Sequence, residues 1–196
     1  QALAILQHEG LITRKQGLGT FARPDVDGIP ARIDYAYEFT ELISAAGYKA
    51  EVKTLTIGPD CASPEAVRRL DCLLGEPMLR VRKLFLANDI PAIYVDEVLP
   101  TVAILGAYDP AELQQPIWHF IDQRCHRRVK YVLSEVLPAL ADGELAELLQ
   151  VALGTPLLKF IEVFYDAKNE PVALAHIHFN ADLIHFHALR KVSPVI

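Results

Sequence analysis

Two stretches of this chain read as long strand–turn–strand segments, and they restrict the fold more than any other feature. From Met78 to Leu99 a strand pattern runs up to Ala87-Asn88-Asp89 and returns through Pro91. From Leu157 to Phe179 the layout recurs around Asp166-Ala167-Lys168-Asn169, with Pro171 opening the return. Turn residues joining two such runs predict antiparallel hairpins. Lys49 to Ile57 and Val129 to Leu137 supply two more strands. Helices fall between them. Asp34 is placed to cap a helix through about Ala46, stopped by Gly47, and Ser63-Pro64-Glu65 opens one that Gly75 ends. Pro116 to Cys125 would bury Ile117, Trp118, Phe120 and Ile121, and Asp142 caps Gly143 to Leu149. The expected class is α+β, a mostly antiparallel six-stranded sheet with flanking helices.

With 52% hydrophobic residues in 196, the chain can bury a sizeable core, which excludes a disordered protein. The net charge of −6 excludes the basic surplus of a free-standing nucleic-acid binder. The charge is uneven: residues 1–23 carry Arg14, Lys15 and Arg23 against Glu9, a surplus of +2, leaving −8 for the rest. Cys61, Cys72 and Cys125 are odd in number and none sits at zinc-ligand spacing, which favours a reducing cytoplasm, with Cys72 a small core residue. No apolar run reaches the roughly 18 residues that cross a bilayer, so no membrane partner is expected.

The chain opens on a helical pattern, Ala2, Leu3, Ile5 and Leu6, stopped by Gly10. No N-cap precedes it, so the helix is expected to begin upstream. LITRKQGLGTF then reads as a hairpin around Gly17 and Gly19, and the Pro- and Gly-bearing stretch before Asp34 as a linker.

The segment ALAILQHEGLITRKQGLGTFA resembles the end of the winged-helix domain of the GntR family, through Glu9-Gly10-Leu11-Ile12, Arg14, Gln16-Gly17 and Gly19-Thr20-Phe21. The later pattern resembles the UTRA domain of the HutC branch: a helix ending in Gly47, the turn near Asn88 and Pro91, Leu99-Pro100, ELAELLQV, PLL, and Tyr165-Asp166 with Pro171. The resemblance implies three parts: residues 1–23 as the tail of a winged helix-turn-helix, 24–33 as linker, and 34–196 as a chorismate lyase-like effector-binding and dimerisation domain. It implies a transcriptional regulator, a repressor, with a small-molecule effector, double-stranded operator DNA and a second copy of itself as partners, and no cofactor. Arg14, Lys15, Gln16, Gly17 and Gly19 would form the wing, the glycines letting backbone approach the minor groove and the cations meeting phosphates.

In such domains the effector lies between sheet and covering helices, held by polar anchors from the two hairpins. Here Lys83 and Phe85 occupy the usual Arg-x-Arg positions, Val95 that of a Glu with Glu97 two residues on, and Phe179 that of a Tyr. Tyr37, Glu38 and Thr40 stand at the start of the first helix, where Glu38 would repel an anion. Tyr131 and Glu135 are further candidates for the same pocket. These departures imply an effector less sugar-like, with an apolar or aromatic body and an acidic group near Lys83. As residue types, Phe85, Val95 and Phe179 more often serve as plain core, and Lys83 with Glu97 also suits a solvated cross-strand pair.

Two other readings stay open, a lyase-like enzyme on the same fold and a dimerisation module without ligand. No GxSxG, P-loop or HExxH motif supports catalysis, no catalytic residue is assigned, and Glu97, Glu135 and Glu162 are the nearest acid/base groups. His176-x-His178 and His185-x-His187 lack a matching Cys or carboxylate spacing, so no metal site is assigned.

Overall fold

The computed structural model describes residues 3, 12–15, 19–22, 31–188 and 190. Most of the expected opening helix, Gln16 and Gly17 of the expected wing, and the expected linker up to residue 30 lie outside the described residues. The chain divides into two compact units, Gln1–Tyr37 with His185–Ile196, and Glu38–Ile184.

In the first unit, β1 (Ile12–Lys15) and β2 (Gly19–Ala22) pair antiparallel, with Lys15 opposite Gly19. Gly19 adopts φ +107°, a conformation that favours glycine, and is exposed. Arg32 bridges His187 in parallel, Ile33 N–H donating to the His187 carbonyl and His187 N–H to that of Ala31, each at 2.9 Å. Asp34 does not cap a helix. Its carboxylate accepts from the Arg32 guanidinium instead, with Nε to Oδ1 at 3.0 Å.

In the second unit, α1 (Phe39–Ala45) starts later than the sequence predicts, after Glu38 in extended backbone. It stops as predicted: Gly47 takes φ +90°, and the Gly47 and Tyr48 N–H groups donate to the carbonyls of Ser44 and Ile43. β3 (Ala50–Cys61) runs past Ile57, and α2 (Pro64–Leu70) follows, capped by the Ser63 hydroxyl accepting from Ala66 N–H. That helix ends before Gly75 because Asp71 takes the left-handed conformation at φ +52°.

Two hairpins form the centre. β4 (Pro77–Ala87) and β5 (Ile90–Pro100) join through Asn88 and Asp89, both at positive φ, as a tight primed turn requires. α3 (Ile117–Cys125), β6 (Val129–Leu140) and α4 (Gly143–Leu149) come next, then β7 (Pro156–Asp166) and β8 (Pro171–Asn180). The strands form one six-stranded sheet in the order β3-β4-β5-β8-β7-β6, every pair antiparallel.

Strand alternation gives the sheet two faces. On one, Ala66 and Leu70 of α2 pack on Met78, Ile161, Val163 and Leu174, while Leu145 and Leu149 of α4 pack with Leu84, Tyr94 and Leu157. The other carries Val81, Ile93, Val95, Leu99, Ile177 and Phe179, all at most 1% exposed. There Phe39 of α1 meets Phe85 and Phe179, with ring centroids 5.2 and 5.9 Å apart, and Trp118 of α3 lies 6.3 Å from Phe164. Burial of such rings supplies most of the attraction holding this second helical layer down.

Candidate functional site

Under α1 and α3 the second face is not wholly apolar. A recess of ≈ 310 Å³, counting its open mouth, is walled by Phe39, Phe85, Pro116, Ile117 and Trp118. Glu38, Thr40, Lys83, Glu97 and Gln114 provide its polar groups.

Lys83 is 1% exposed and Glu97 4%. Val95 is the direct partner of Lys83, so Glu97 is its diagonal neighbour on the same face. Lys83 Nζ lies 3.0 Å from Glu97 Oε2 and donates to the Gln115 carbonyl at 3.2 Å. The ammonium thus holds the Glu97 carboxylate at ion-pair distance within the layer. Burial pushes the Glu97 carboxyl up, against the pull of the Lys83 charge. At the rim, the Thr40 hydroxyl donates to Glu38 Oε1 at 2.7 Å.

Glu162 belongs to the same face, two strands from Glu97, with Ala175 paired to both. Its Oε1 accepts from the Ser134 hydroxyl at 2.8 Å. Burial raises its titration to about 7, the Ser134 bond opposing and the Glu97 charge adding. A carboxyl so buried without a cation is neutral over much of the range in which exposed carboxylates are charged. Sequence reasoning noted Glu162 only as an acid/base group. The available signal was its parity with Phe160 and Phe164, which makes it a charged residue on an apolar strand face.

The structure gathers Thr40, Lys83, Phe85 and Glu97 at the recess. Val95 and Phe179 are core on the same face, both at 0% exposure, and Phe179 packs on Phe39 and Phe160. Lys83 and Glu97 are thus a buried pair and not a solvated one. The expectation that Tyr131 and Glu135 share the pocket is corrected by strand parity: they pair with Tyr165 and Ile161 on the opposite face. There Tyr131 stacks on Tyr165 at 5.0 Å, and Glu135 is bound by Arg69 of α2. Tyr37 lies in the first unit, where its hydroxyl accepts from Arg32 N–H at 2.9 Å. The side chains of Arg14 and Lys15 lie outside the described residues.

A larger cleft, ≈ 570 Å³, opens on the opposite face beside Arg80, Asp96 and His176. Its charges already compensate one another. Arg80 binds Asp96 and Asp60 at 2.8 and 2.9 Å, and His176 Nε2 is 3.2 Å from Glu65. Among the described residues no three His, Cys, Asp or Glu side chains converge as a metal centre would need. The smaller recess, with buried polar atoms inside an apolar layer, is therefore the better candidate.

An antiparallel six-stranded sheet, with helices on both faces and a polar recess beneath one helical layer, defines an α+β domain of the chorismate lyase-like class. Residues 45–185 match the UTRA domain family, and the chain belongs to it. The HTH-type transcriptional regulator Rv0792c of Mycobacterium tuberculosis is 25% identical over 195 residues, 94% of this chain and 68% of that protein. The histidine utilization repressor of Pseudomonas aeruginosa is 26% identical over 160 residues, covering 81% of this chain and 62% of that protein. The chain therefore spans under two thirds of the latter's length. The crystal structure of YydK from Bacillus subtilis superposes with a TM-score of 0.73 at 17% identity, covering 96% of this chain and 80% of that one, and supports the fold. The likeness to HutC-type GntR regulators read from the sequence agrees with these relatives.

Proposed function

We propose that the chain is the effector-sensing and dimerising part of a DNA-binding transcriptional repressor, in which ligand occupancy of the recess alters operator affinity. The observation that carries this reading is the Lys83–Glu97 pair, buried inside an otherwise aromatic and aliphatic layer. Buried ions in such a layer cost stability, and a ligand that contacts them repays the cost at the site where it binds. Kinship with named transcriptional regulators supports a sensor over an enzyme.

The organisation proposed is a winged-helix tail over residues 1–23, a linker over 24–33 and the sensor over 34–196. The exposed Gly19 at positive φ, beside a strand carrying Arg14 and Lys15, suits a wing whose backbone comes close to DNA. A cytoplasmic homodimer is part of the same reading. β6 ends the sheet, and it leaves Tyr131, Leu133, Val136, Leu137 and Leu140 between 38% and 67% exposed. A long apolar edge strand is an aggregation hazard unless covered, and an antiparallel copy of itself covers it about a two-fold axis. That symmetry matches two operator half-sites.

The reading is tested by thermal unfolding against a metabolite library, followed by operator binding of the protein carrying its complete DNA head. Stabilisation that grows with ligand concentration, together with a changed operator affinity, is expected. Turnover of the hit by substoichiometric protein would overturn the sensor assignment. Unchanged operator affinity after replacing Arg14 and Gln16 would overturn the wing.

A further inference from the structure

The sheet is built twice on one plan. Ser63 and Asp142 cap α2 and α4, Asp71 and Gln150 end them at φ +52° and +54°, and Gly75 and Gly154 follow at +77° and +80°. Each pair keeps one spacing along the chain, a residue longer beyond the two hairpin turns, where Asp96 corresponds to His176. Those two are also direct partners across β5 and β8, so a local two-fold axis runs between them. Beneath the helices Leu70 and Met78 correspond to Leu149 and Leu157, but two positions differ in size. Ala66 stands where α4 has Leu145, and Leu174 where the other half has Tyr94. Under α4 the larger side chains fill the layer, with Tyr94 5% exposed and stacked on His178, the counterpart of Val98. Under α2 the same place is open. Ala66, Val98 and Leu174 line the cleft beside Arg80, which leaves ≈ 170 Å³ of free space where the recess leaves ≈ 20 Å³. That is well above what a single water needs and enough for one small ring.

The walls of the cleft select a neutral molecule. Arg80 holds both Asp60 and Asp96, at 2.9 and 2.8 Å, and Arg82 adds to Asp96 at 3.5 Å. Arg69 holds Glu65 at 3.0 Å, and His176, its titration lowered by burial, lies 3.2 Å from the other Glu65 oxygen. Every carboxylate of the cleft thus has a cation and Arg80 has two carboxylates, so an incoming charge of either sign would displace a pairing already made. A hydroxyl group displaces none. Arg80 uses three of its five N–H groups on the two aspartates, and Asp60 receives it on Oδ2, so donors and an acceptor remain for an O–H group. The floor below them is apolar, with Ala66, Met78 and Leu174 at most 4% exposed.

We propose that this cleft is a second ligand site and that its ligand is a neutral aromatic ring bearing a hydroxyl group. The ring lies on Ala66, Met78 and Leu174, in the place that Tyr94 takes in the other half, and its hydroxyl accepts from Arg80 and donates to Asp60 Oδ1. A flat ring suits the slot between helix and sheet because Tyr94 already occupies the counterpart, and the Met78 thioether offers a favourable contact to a ring edge. The site is independent of the recess, which lies on the opposite face of the sheet.

The test uses phenol and resorcinol as neutral hydroxylated rings, cyclohexanol as a ring without the flat face, and benzoate and benzylamine as charged rings. Thermal unfolding of the whole protein is followed over the roughly millimolar range expected of fragments this small. The two phenols should raise the midpoint progressively, and the other three should not. Leu174→Tyr gives the α2 half the residue that its counterpart carries. It should keep or raise the midpoint of the unliganded protein and weaken resorcinol at least about tenfold. Cys61, exposed at the cleft, reports occupancy without any substitution. Its alkylation by iodoacetamide, followed by peptide mass spectrometry, should slow severalfold in saturating resorcinol relative to free cysteine in the same solution. Resorcinol acting equally on parent and variant, or leaving Cys61 unprotected, would overturn the site. Stabilisation by benzylamine or benzoate in place of the phenols, or by none of the probes, would overturn the ligand class. Leu174→Tyr leaves the recess untouched, so the sensor reading is decided separately by the metabolite library.

Discussion

Glu97 and Glu162 stand on one face of the sheet, each paired in register with Ala175 on the strand between them. The methyl group of Ala175 leaves room for both carboxyls, and burial, with the Glu97 charge adding to it and the Ser134 hydrogen bond opposing, raises the titration of Glu162 to about 7. Since the ordinary Glu value is 4.5, the folded chain holds a proton that the unfolded chain releases between 4.5 and about 7. Stability therefore falls as pH rises through that window. Glu162→Gln removes the loss while leaving an acceptor for Ser134. Relative to the parent, the variant should gain roughly 3 kcal/mol between pH 4 and pH 8 in urea unfolding. A difference that does not vary with pH would contradict the assignment.

His178 contributes the opposite slope. It stacks on Tyr94 at 6.2 Å, and burial, helped by Lys159 and His176, holds its titration near 4, against 6.5 for a free imidazole. The unfolded chain takes up a proton first, so stability declines as pH drops from 6.5 toward 4. His178→Phe keeps a ring against Tyr94 and should flatten this acid limb, measured by the urea midpoint from pH 4 to 7.

The Lys83–Glu97 pair should behave as a buried ion pair does. Glu97→Gln leaves a cation in an apolar layer and should cost roughly 3 kcal/mol, whereas K83M/E97M should recover most of it. Equal losses in the single and double variants, read from denaturant unfolding, would show that the pair is not what the layer depends on.

Leu133 and Val136 point to opposite faces of the β6 edge and are 60% and 42% exposed. The homodimer proposed above should fall to a monomer when both are replaced with Lys, read by size-exclusion chromatography with light scattering, with the unfolding midpoint of dilute protein little changed. A persisting dimer would place the interface elsewhere.

Asp89 sits at φ +68° in the β4–β5 turn, while Asn88 beside it binds the backbone of Lys49 through Oδ1 at 2.8 Å and through its N–H at 3.0 Å. Asp89→Gly relieves the positive φ without touching those bonds and should stabilise by roughly 0.5 kcal/mol or more. Asn88→Ala should destabilise, because it loses the side-chain acceptor and keeps the strain.

Much of this architecture was legible because it is local. Ser63, Asp142 and Gly47 act at helix ends as their chemistry requires, and both hairpins form where turn residues interrupt alternation. Errors fell where two local signals compete. Asp34 has the side chain of a cap but finds Arg32 first, and Asp71 ends α2 before Gly75 is reached. The recess was half legible. Lys83 and Glu97 share a face by parity once the hairpin is known, but their loss of solvent depends on α1 and α3 arriving from distant parts of the chain.

The β4–β5 and β7–β8 hairpins were determined by the sequence itself, since period-two alternation and turn chemistry act over a few residues. What only the tertiary structure decided was adjacency between strands far apart in the chain. The order β5-β8-β7 set Glu162 near Glu97, and the same order left β6 at the edge, with Glu135 turned away toward Arg69. Alternation states which residues share a face within one strand. It carries no information about which strand lies alongside, because that is chosen by the packing of whole layers.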